Sequence, residues 1–512
     1  MARPIRRLLI ANRGEIALRV IRACRESGIA PVAVYSEADA AAPHVAAADE
    51  AHLLGPAPAR ESYLRIDRIL EAARKSRADA IHPGYGFLSE NPAFARACAK
   101  ARIRFVGPPA DAMLRLGNKI EGRRLAQKAG VPVVPGMTLA VGESDDLRPL
   151  VRSVGLPLCV KAASGGGGKG MRVVRAAADL PRALREARSE AASAFGDPTV
   201  YLEHYVERPH HVEIQILADA HGHVVWLGER ECSIQRRHQK LIEETPSPVV
   251  GPDLRRAMGE AACRLARAAG YVNAGTVEFL VDARGRFFFL EVNARLQVEH
   301  PVTEMATGID LVREQFRIAE GAELSSRQED VVPRGVSIEC RICAEDAEKG
   351  FLPSTGTIRG LRLPAGPFTR ADCGVEAGSE VSLFYDSMLA KVIVWGSDRE
   401  TAIRRMARAL EDLAVVGVRT TQPLLQRVLA DRRFRAGKIH TRWLEDDFLR
   451  GGAVPAADPA DESLAILLAA AIERQRRDET APRFLPPRSI STWRRAVLDS
   501  SMVRDAKNGN GF

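Results

Sequence analysis

Aromatic residues are scarce, 5% of 512 positions, and they are never interleaved with basic residues into a surface on which nucleic-acid bases would stack. The formal charge of +9 therefore argues for anionic small molecules or an acidic partner protein, and no nucleic-acid partner is expected. Long apolar runs are missing too. The longest candidate, "LAILLAAAI" at 464–472, falls short of the roughly 18 residues that a membrane span needs. The start, "MARPIRRLLIANRGE", has too short an apolar stretch for a signal-peptide core. These absences point to the cytoplasm and to no membrane partner. The eight cysteines are scattered, unlike a disulfide framework. Cys340 and Cys343 form a CxxC without the second pair of a zinc ribbon, so they are read as buried strand thiols. No internal repeat is evident.

What is present is ordinary globular composition, 46% apolar and 27% charged, in a chain long enough for about three domains. Residues 1–118 alternate short apolar runs ("RLLIA", "APVAVYS", "ADAIHPG") with helical patterns, which predicts a parallel sheet with helices on its faces. Gly14, Gly84, Gly86 and Gly107 follow its strand candidates, where ligand loops of such sheets lie. A glycine-rich segment, Val133–Tyr205, comes next, and long strands and hairpins follow from Val206 to about Ala322. Strands are predicted at "GVSIECRICAED" and "SMLAKVIVWGSD", then a helix at "RETAIRRMARALEDLA". From Gly451 the composition shifts to Pro, Arg and Ser around one helical run, read as a partly disordered appendage.

The stretch "LCVKAASGGGGKGMRVV" fits GxGxxG at Gly165, Gly167 and Gly170, but a strand-like "MRVV" follows where a dinucleotide fingerprint needs a helix. A P-loop fails because Gly170, not Ser or Thr, follows Lys169. What remains is a flexible hairpin whose backbone N–H groups can reach phosphate oxygens. A mobile turn is the plain alternative, although a turn alone does not require four consecutive glycines. Lys161 before the loop and Lys119 at the start of a helix pattern are cations suited to phosphate.

"FFFLEVNARLQVEHP", 287–301, begins as core and then alternates: Glu291, Asn293, Arg295, Gln297 and Glu299 are polar, and the residues between them are apolar. If extended, it carries all five polar groups on one face. In "GTVEFLVDARGRFFFLEVN" a two-residue turn at Arg284 and Gly285 would oppose Glu278 and Glu291; a bulge at Gly285 would shift the register by one. Opposed carboxylates need positive charge between them. A divalent cation supplies it, and oxygen donors with Asn293 nearby favour Mg²⁺ or Mn²⁺ over zinc; one shared proton is the alternative. Magnesium held by few carboxylates completes its shell with substrate phosphates. Arg295 could grip a small planar oxyanion and Glu299 accept its proton. The set points to a small acid activated by ATP. His238 and Lys240 would face one site if "RRHQKLI" is extended, and a satisfied buried histidine is the alternative. For Arg341, two residues from Glu339, the alternative is a structural ion pair.

The chain resembles biotin carboxylase, the ATP-grasp component of biotin-dependent carboxylases. The likeness rests on "IANRGEIALRVIRA", "HPGYGFLSEN", "KAASGGGGKGMR", "HHVEIQIL", "ERECSIQRRHQKLIEE", "GTVEFL", "EVNARLQVEHPVTE", "ECRICAED" and "YDSMLAK". It runs from about Pro4 to Asp447 without a large gap. The resemblance implies an α/β and α+β fold. A Rossmann-like parallel-sheet domain covers 1–118, and an ATP-grasp domain covers 119–330 with a mobile glycine-rich lid at about 133–205. A C-terminal mixed-sheet domain covers 335–447, followed by the appendage at 451–512. It also implies ATP-dependent carboxylation of biotin carried on a separate carrier protein, with bicarbonate as carbon source and carboxyphosphate as intermediate, in an acetyl-CoA carboxylase type of system. Propionyl-CoA, methylcrotonyl-CoA and pyruvate carboxylases are the alternatives. Also implied are two Mg²⁺ or Mn²⁺ ions, a homodimer and a separate carboxyltransferase subunit.

Matched residue by residue, the resemblance makes Lys119, Lys161 and His211 phosphate and nucleotide contacts, with Gly167 and Gly168 in the lid. Glu203, His204, Tyr205 and Val206 fall on the adenine side, and Gln235, His238 and Leu280 are further nucleotide contacts. Glu278, Glu291 and Asn293 are implied as metal ligands, and Lys240, Arg295 and Val298 as the bicarbonate site. Glu299 is implied as the base, and Arg341 as the cation that stabilises the biotin enolate. Two positions depart from the family pattern: Asn118 stands where aspartate is common and His204 where lysine is common. No Ala-Met-Lys biotin-attachment sequence occurs, so the carrier is expected on another chain. Another ATP-grasp carboxylate–amine ligase would lack the Arg295, Glu299 and Arg341 set, and a non-catalytic assembly subunit would have no reason to keep it.

Overall fold

Short strands, buried at the centre of the layer and more exposed at its edges, form the first sheet: β1 (Arg7–Ile10), β2 (Ala30–Ser36), β3 (Glu50–Gly55), β4 (Ala80–His82) and β5 (Arg104–Phe105). All pairs are parallel, in the order β3-β2-β1-β4-β5. Leu8, Leu9 and Ile10 are all buried, as a strand packed on both sides requires. The strand order reverses between β1 and β4, so a crevice opens beyond their C-terminal ends. Asn12 ties its two walls together, donating from Nδ2 to Pro83 O and Tyr85 O at 2.7 Å each. The structure, a computed structural model, describes residues 4–137, 140–142, 147–163 and 170–450. Gly167, Gly168 and the appendage at 451–512 lie outside the described residues.

A small antiparallel sheet, β6 (Leu158–Ala162), β7 (Arg172–Val174) and β8 (Val200–His204), has the order β7-β6-β8. The glycine-rich run thus connects two antiparallel strands.

The largest sheet has eight strands: β9 (His210–Ala218), β10 (Val224–Arg236), β11 (Gln239–Thr245), β12 (Asn273–Val281), β13 (Phe287–Asn293), β14 (Val336–Cys343), β15 (Thr369–Cys373) and β16 (Met388–Gly396). Its order is β13-β12-β9-β10-β11-β14-β16-β15, antiparallel throughout. Residues 336–396 thus extend the sheet of residues 210–293 through the β11–β14 pair, where Ile242 opposes Cys340 and Glu243 opposes Glu339. All eight cysteines are free and buried, Cys340 and Cys343 among them, as the strand reading predicts. Among the described residues no helix is long and apolar enough to cross a membrane.

Candidate active site

One cavity of about 980 Å³ lies between the crevice of the first sheet and the polar face of the largest one. Strand β6 brings Lys161 to it, and β8 with its continuation brings Glu203, His204, Tyr205 and Val206. His211, Gln235 and Lys240 come from β9, β10 and β11, and Glu278 with Leu280 from β12. Glu291 and Asn293 on β13, Arg295 and Val298 beyond it, Arg341 on β14 and Lys119 complete the set singled out in the sequence. Glu299 does not line the cavity; it lies fully buried just behind the wall.

Glu278 and Glu291 oppose each other directly, but not by the expected turn. The connection has three residues, Ala283, Arg284 and Gly285, with Gly285 at φ +74° and its N–H donating to Asp282 O at 2.9 Å. Val281 therefore pairs with Phe287 and Phe279 with Phe289, one step out of the expected register. A bulge at Leu290 takes up the extra residue and restores the pairing at Glu278. The rung continues across the sheet, since Glu278 also opposes Glu213 on β9, and Glu213 opposes Arg230 on β10.

Three carboxylates on or beside this rung converge on one ammonium. Lys240 Nζ lies 2.6 Å from Glu213, 3.0 Å from Glu278 and 2.5 Å from Glu299. Burial opposes its charge, yet the three acids raise its pKa well above that of a free lysine. Burial also penalises the anions, but Lys240 and His211 hold Glu278 below the carboxylate range, and Lys240 with Arg341 and Arg230 does the same for Glu299. Glu299 is thereby kept ionised, with a cation on each oxygen. Arg341 Nη2 reaches the other oxygen of Glu299 at 2.8 Å and Glu243 at 2.5 Å.

Arg295 is held on three sides: Nε donates to Glu90 at 3.0 Å, Nη1 to Gln297 Oε1 at 2.8 Å and Nη2 to Asn293 Oδ1 at 3.0 Å. Lys119 Nζ sits 3.0 Å from Glu291, and Lys161 forms an ion pair with Glu203. Asn118 caps the helix Lys119–Lys128, accepting from the N–H groups of Ile120 and Glu121 at 3.0 and 3.1 Å. An amide oxygen in place of a carboxylate therefore still fixes the residue before Lys119. His204 lines the cavity, and its N–H donates to Pro135 O at 2.7 Å.

Two expectations of extended chain are corrected. Strand β13 stops at Asn293, and Glu299 begins a helical turn before the helix His300–Thr307. Arg295 and Gln297 still reach the cavity, whereas Glu299 is turned behind it. His238 and Lys240 are not neighbours on one strand: Arg237 and His238 form the turn between β10 and β11, at φ +46° and +67°. Positive φ at both central residues is the pattern of a type I′ hairpin turn, a strained choice for arginine and histidine at the cavity edge.

The donor set fits a hard divalent cation. Glu278 and Glu291 offer carboxylate oxygens on one face beside Asn293, with cavity space in front of them. The low proton affinity of Glu278 disfavours the shared-proton alternative. His211, Glu213 and Glu278 also bring donor atoms within 4.8 Å of one another.

Sequence reasoning missed Glu213 and Glu90, and also Arg13 and Tyr85, which line the cavity from the crevice. Glycines after β1 and β4 were the available signal for the last two. Arg442 and Glu445, from the final described segment, line the cavity too, and no pattern in the sequence marks them.

The chain is similar to known proteins over most of its length. Residues 4–113 match the family model "Biotin carboxylase, N-terminal domain", 118–327 "Carbamoyl-phosphate synthase L chain, ATP binding domain", and 339–446 "Biotin carboxylase C-terminal domain". A pyruvate carboxylase subunit of Methanothermobacter thermautotrophicus is 53% identical over 446 residues, 87% of this chain and 90% of that protein. The mitochondrial propionyl-CoA carboxylase alpha chain of Mus musculus is 46% identical over 517 residues, covering 99% of this chain and 71% of the relative. The biotin carboxylase domain dimer of Hydrogenobacter thermophilus 2-oxoglutarate carboxylase, solved with MgADP, ADP and bicarbonate, superposes with a TM-score of 0.85 at 45% identity. That match covers 88% of this chain and 100% of the solved one.

Proposed function

The chain belongs to the biotin carboxylase family of ATP-dependent ligases, and on that premise we propose that it carboxylates biotin carried on a separate carrier protein, using bicarbonate and ATP through carboxyphosphate. One observation carries this reading: Glu299, fully buried, is gripped by Lys240 on one oxygen and Arg341 on the other. A carboxylate so placed, behind a cavity that also holds Arg295, is poised to take the proton of a small acid.

Arg295, Lys240 and the backbone at Val298 hold bicarbonate, and Glu299 removes its proton. Lys119, Lys161 and His211 face the phosphates. Glu203 to Val206, with Gln235, His238 and Leu280, enclose the nucleoside. Mg²⁺ or Mn²⁺, expected as two ions, would be held by Glu278, Glu291 and Asn293, where it neutralises phosphate charge. Carboxyphosphate decays to CO₂ and phosphate, the released phosphate takes the N1 proton of the biotin ureido ring as N1 bonds CO₂, and Arg341 steadies the negative charge on the ureido oxygen.

Acetyl-CoA is the acceptor favoured by the sequence reading, through a partner carboxyltransferase. The relatives' names include pyruvate and propionyl-CoA, two of the alternatives given by the sequence reading, and add 2-oxoglutarate. The match to the propionyl-CoA carboxylase alpha chain extends over 99% of this chain, which favours propionyl-CoA as the second candidate. A homodimer is proposed, in keeping with the dimeric solved relative, and a monomer by light scattering at micromolar concentration would reject it.

The test is ATP hydrolysis by the full chain with Mg²⁺. It is expected to require bicarbonate and to rise with free biotin. Hydrolysis indifferent to bicarbonate would overturn the proposal.

A further inference from the structure

Behind Arg341 lies a buried acid that the proposed chemistry does not use. Glu339, two residues earlier on β14, has no exposed surface, and among the described residues neither of its oxygens has a hydrogen-bond partner. It directly opposes Glu243 on β11, also fully buried. Directly opposed residues share a sheet face, with Cβ atoms about 5 Å apart.

The nearby cations serve other acids. Arg341 pairs with Glu243 and Glu299. Lys391, opposite Arg341 on β16, donates to Val298 O at 2.6 Å and lies 3.2 Å from Glu15 on the helix Gly14–Glu26. Asp372 opposes Lys391 on β15, where Arg370 is its partner at 2.7 Å. Tyr85, from the loop after β4, bonds to Glu15. Glu339 therefore faces Glu243, Glu299, Arg341 and Lys391 with no ion pair of its own among the described residues. An unpaired anion in such a place is strongly disfavoured, and like charges sharing a site force one to keep its proton.

We propose that Glu339 is a protonated, uncharged carboxylic acid in the resting protein, and that its neutrality leaves the charge of Arg341 directed at Glu299 and the cavity. Burial, against the opposing effect of Lys391 and with that of Glu243, pushes Glu339 well above the carboxylate range; Glu243, which has Arg341 beside it, is pushed only to about 7. Were Glu339 ionised, it would compete with Glu299 for the guanidinium and draw it back from the substrate. Glu339 is on this view a positioning residue. The proton stands on geometry alone, while its effect on Arg341 rests on the function proposed above.

The test is infrared difference spectroscopy of the ligand-free full chain at neutral pH. Wild type minus Glu339→Gln is expected to show the carbonyl stretch of a protonated carboxylic acid, shifted in deuterated solvent. Absence of that band overturns the proposal, as does its loss in Glu243→Gln with retention in Glu339→Gln. In Glu243→Gln the band is expected to persist but to bleach at lower pH than in wild type; unchanged bleaching also counts against it. Across the pH range of bleaching the wild-type KM for biotin is expected to rise at least ten-fold, while Glu339→Gln keeps its neutral-pH value. A parallel rise in both overturns the positioning role. A band without biotin-dependent turnover at any pH would uphold the proton and reject the proposed activity instead.

Discussion

Glu278 and Glu291 face each other across β12 and β13 because two irregularities cancel: a three-residue loop displaces the register by one, and the bulge at Leu290 restores it. The pairing places a carboxylate with Lys119 next to one with Lys240 and His211. Glu291→Gln is expected to weaken binding of the Mg²⁺–nucleotide complex at least ten-fold and to leave metal-free nucleotide binding nearly unchanged, as removal of one oxygen ligand predicts. Calorimetric titration with and without Mg²⁺ separates the two.

Lys240 neutralises three acids at once. Its replacement by methionine removes one cation from each and leaves Arg230, His211 and Arg341 as their remaining partners, at an expected cost of about 3–5 kcal/mol. Denaturant unfolding should show that loss, and bicarbonate-dependent hydrolysis should vanish because Lys240 also belongs to the proposed bicarbonate site. Unchanged stability would show that the hub is not tightly coupled.

Arg341→Gln is expected to retain Mg²⁺–ATP binding and to lose biotin-stimulated turnover by about a hundred-fold, the effect of removing one donor from a developing negative charge. Equal losses in both measurements would place Arg341 in the fold rather than in the chemistry.

Acid should destabilise the first sheet through two buried imidazoles. Burial lowers His44 and His82 to about 4. His82 accepts from the Gly84 N–H at 3.0 Å on Nδ1 and lies 3.1 Å from Gln315 Oε1 on Nε2, the pattern of a neutral ring. The unfolded chain binds these protons near pH 6.5, so stability present at neutral pH is lost as pH falls from about 6.5 through about 4, by about 2 kcal/mol per histidine at pH 5. Urea midpoints at pH 7 and pH 5 should differ less in His82→Gln than in wild type. An equal difference would rule out His82 as a contributor.

Local alternation was enough to read Glu291 and Asn293 as one polar face, whereas the Glu278–Glu291 pair was expected from a two-residue turn that the chain does not make. It could not show that the loop and the bulge compensate, because either arrangement keeps the same composition. Glu213, Glu243 and Glu339 acquire their neighbours from strand order, β9 beside β12 and β11 beside β14, and strand order is set by packing over long chain separations. Glu90 reaches Arg295 from a different sheet's loop, a contact that no periodicity encodes. The turn at Arg237 and His238 was hidden because neither residue is a usual choice for positive φ.

Lys240 and Arg341 project from adjacent strands of one continuous sheet and hold opposite oxygens of the same side chain. Adjacent strands lie about 4.8 Å apart, so on the proposed function carbon dioxide freed beside the first has to travel only a distance on the order of one strand spacing to reach an acceptor steadied by the second.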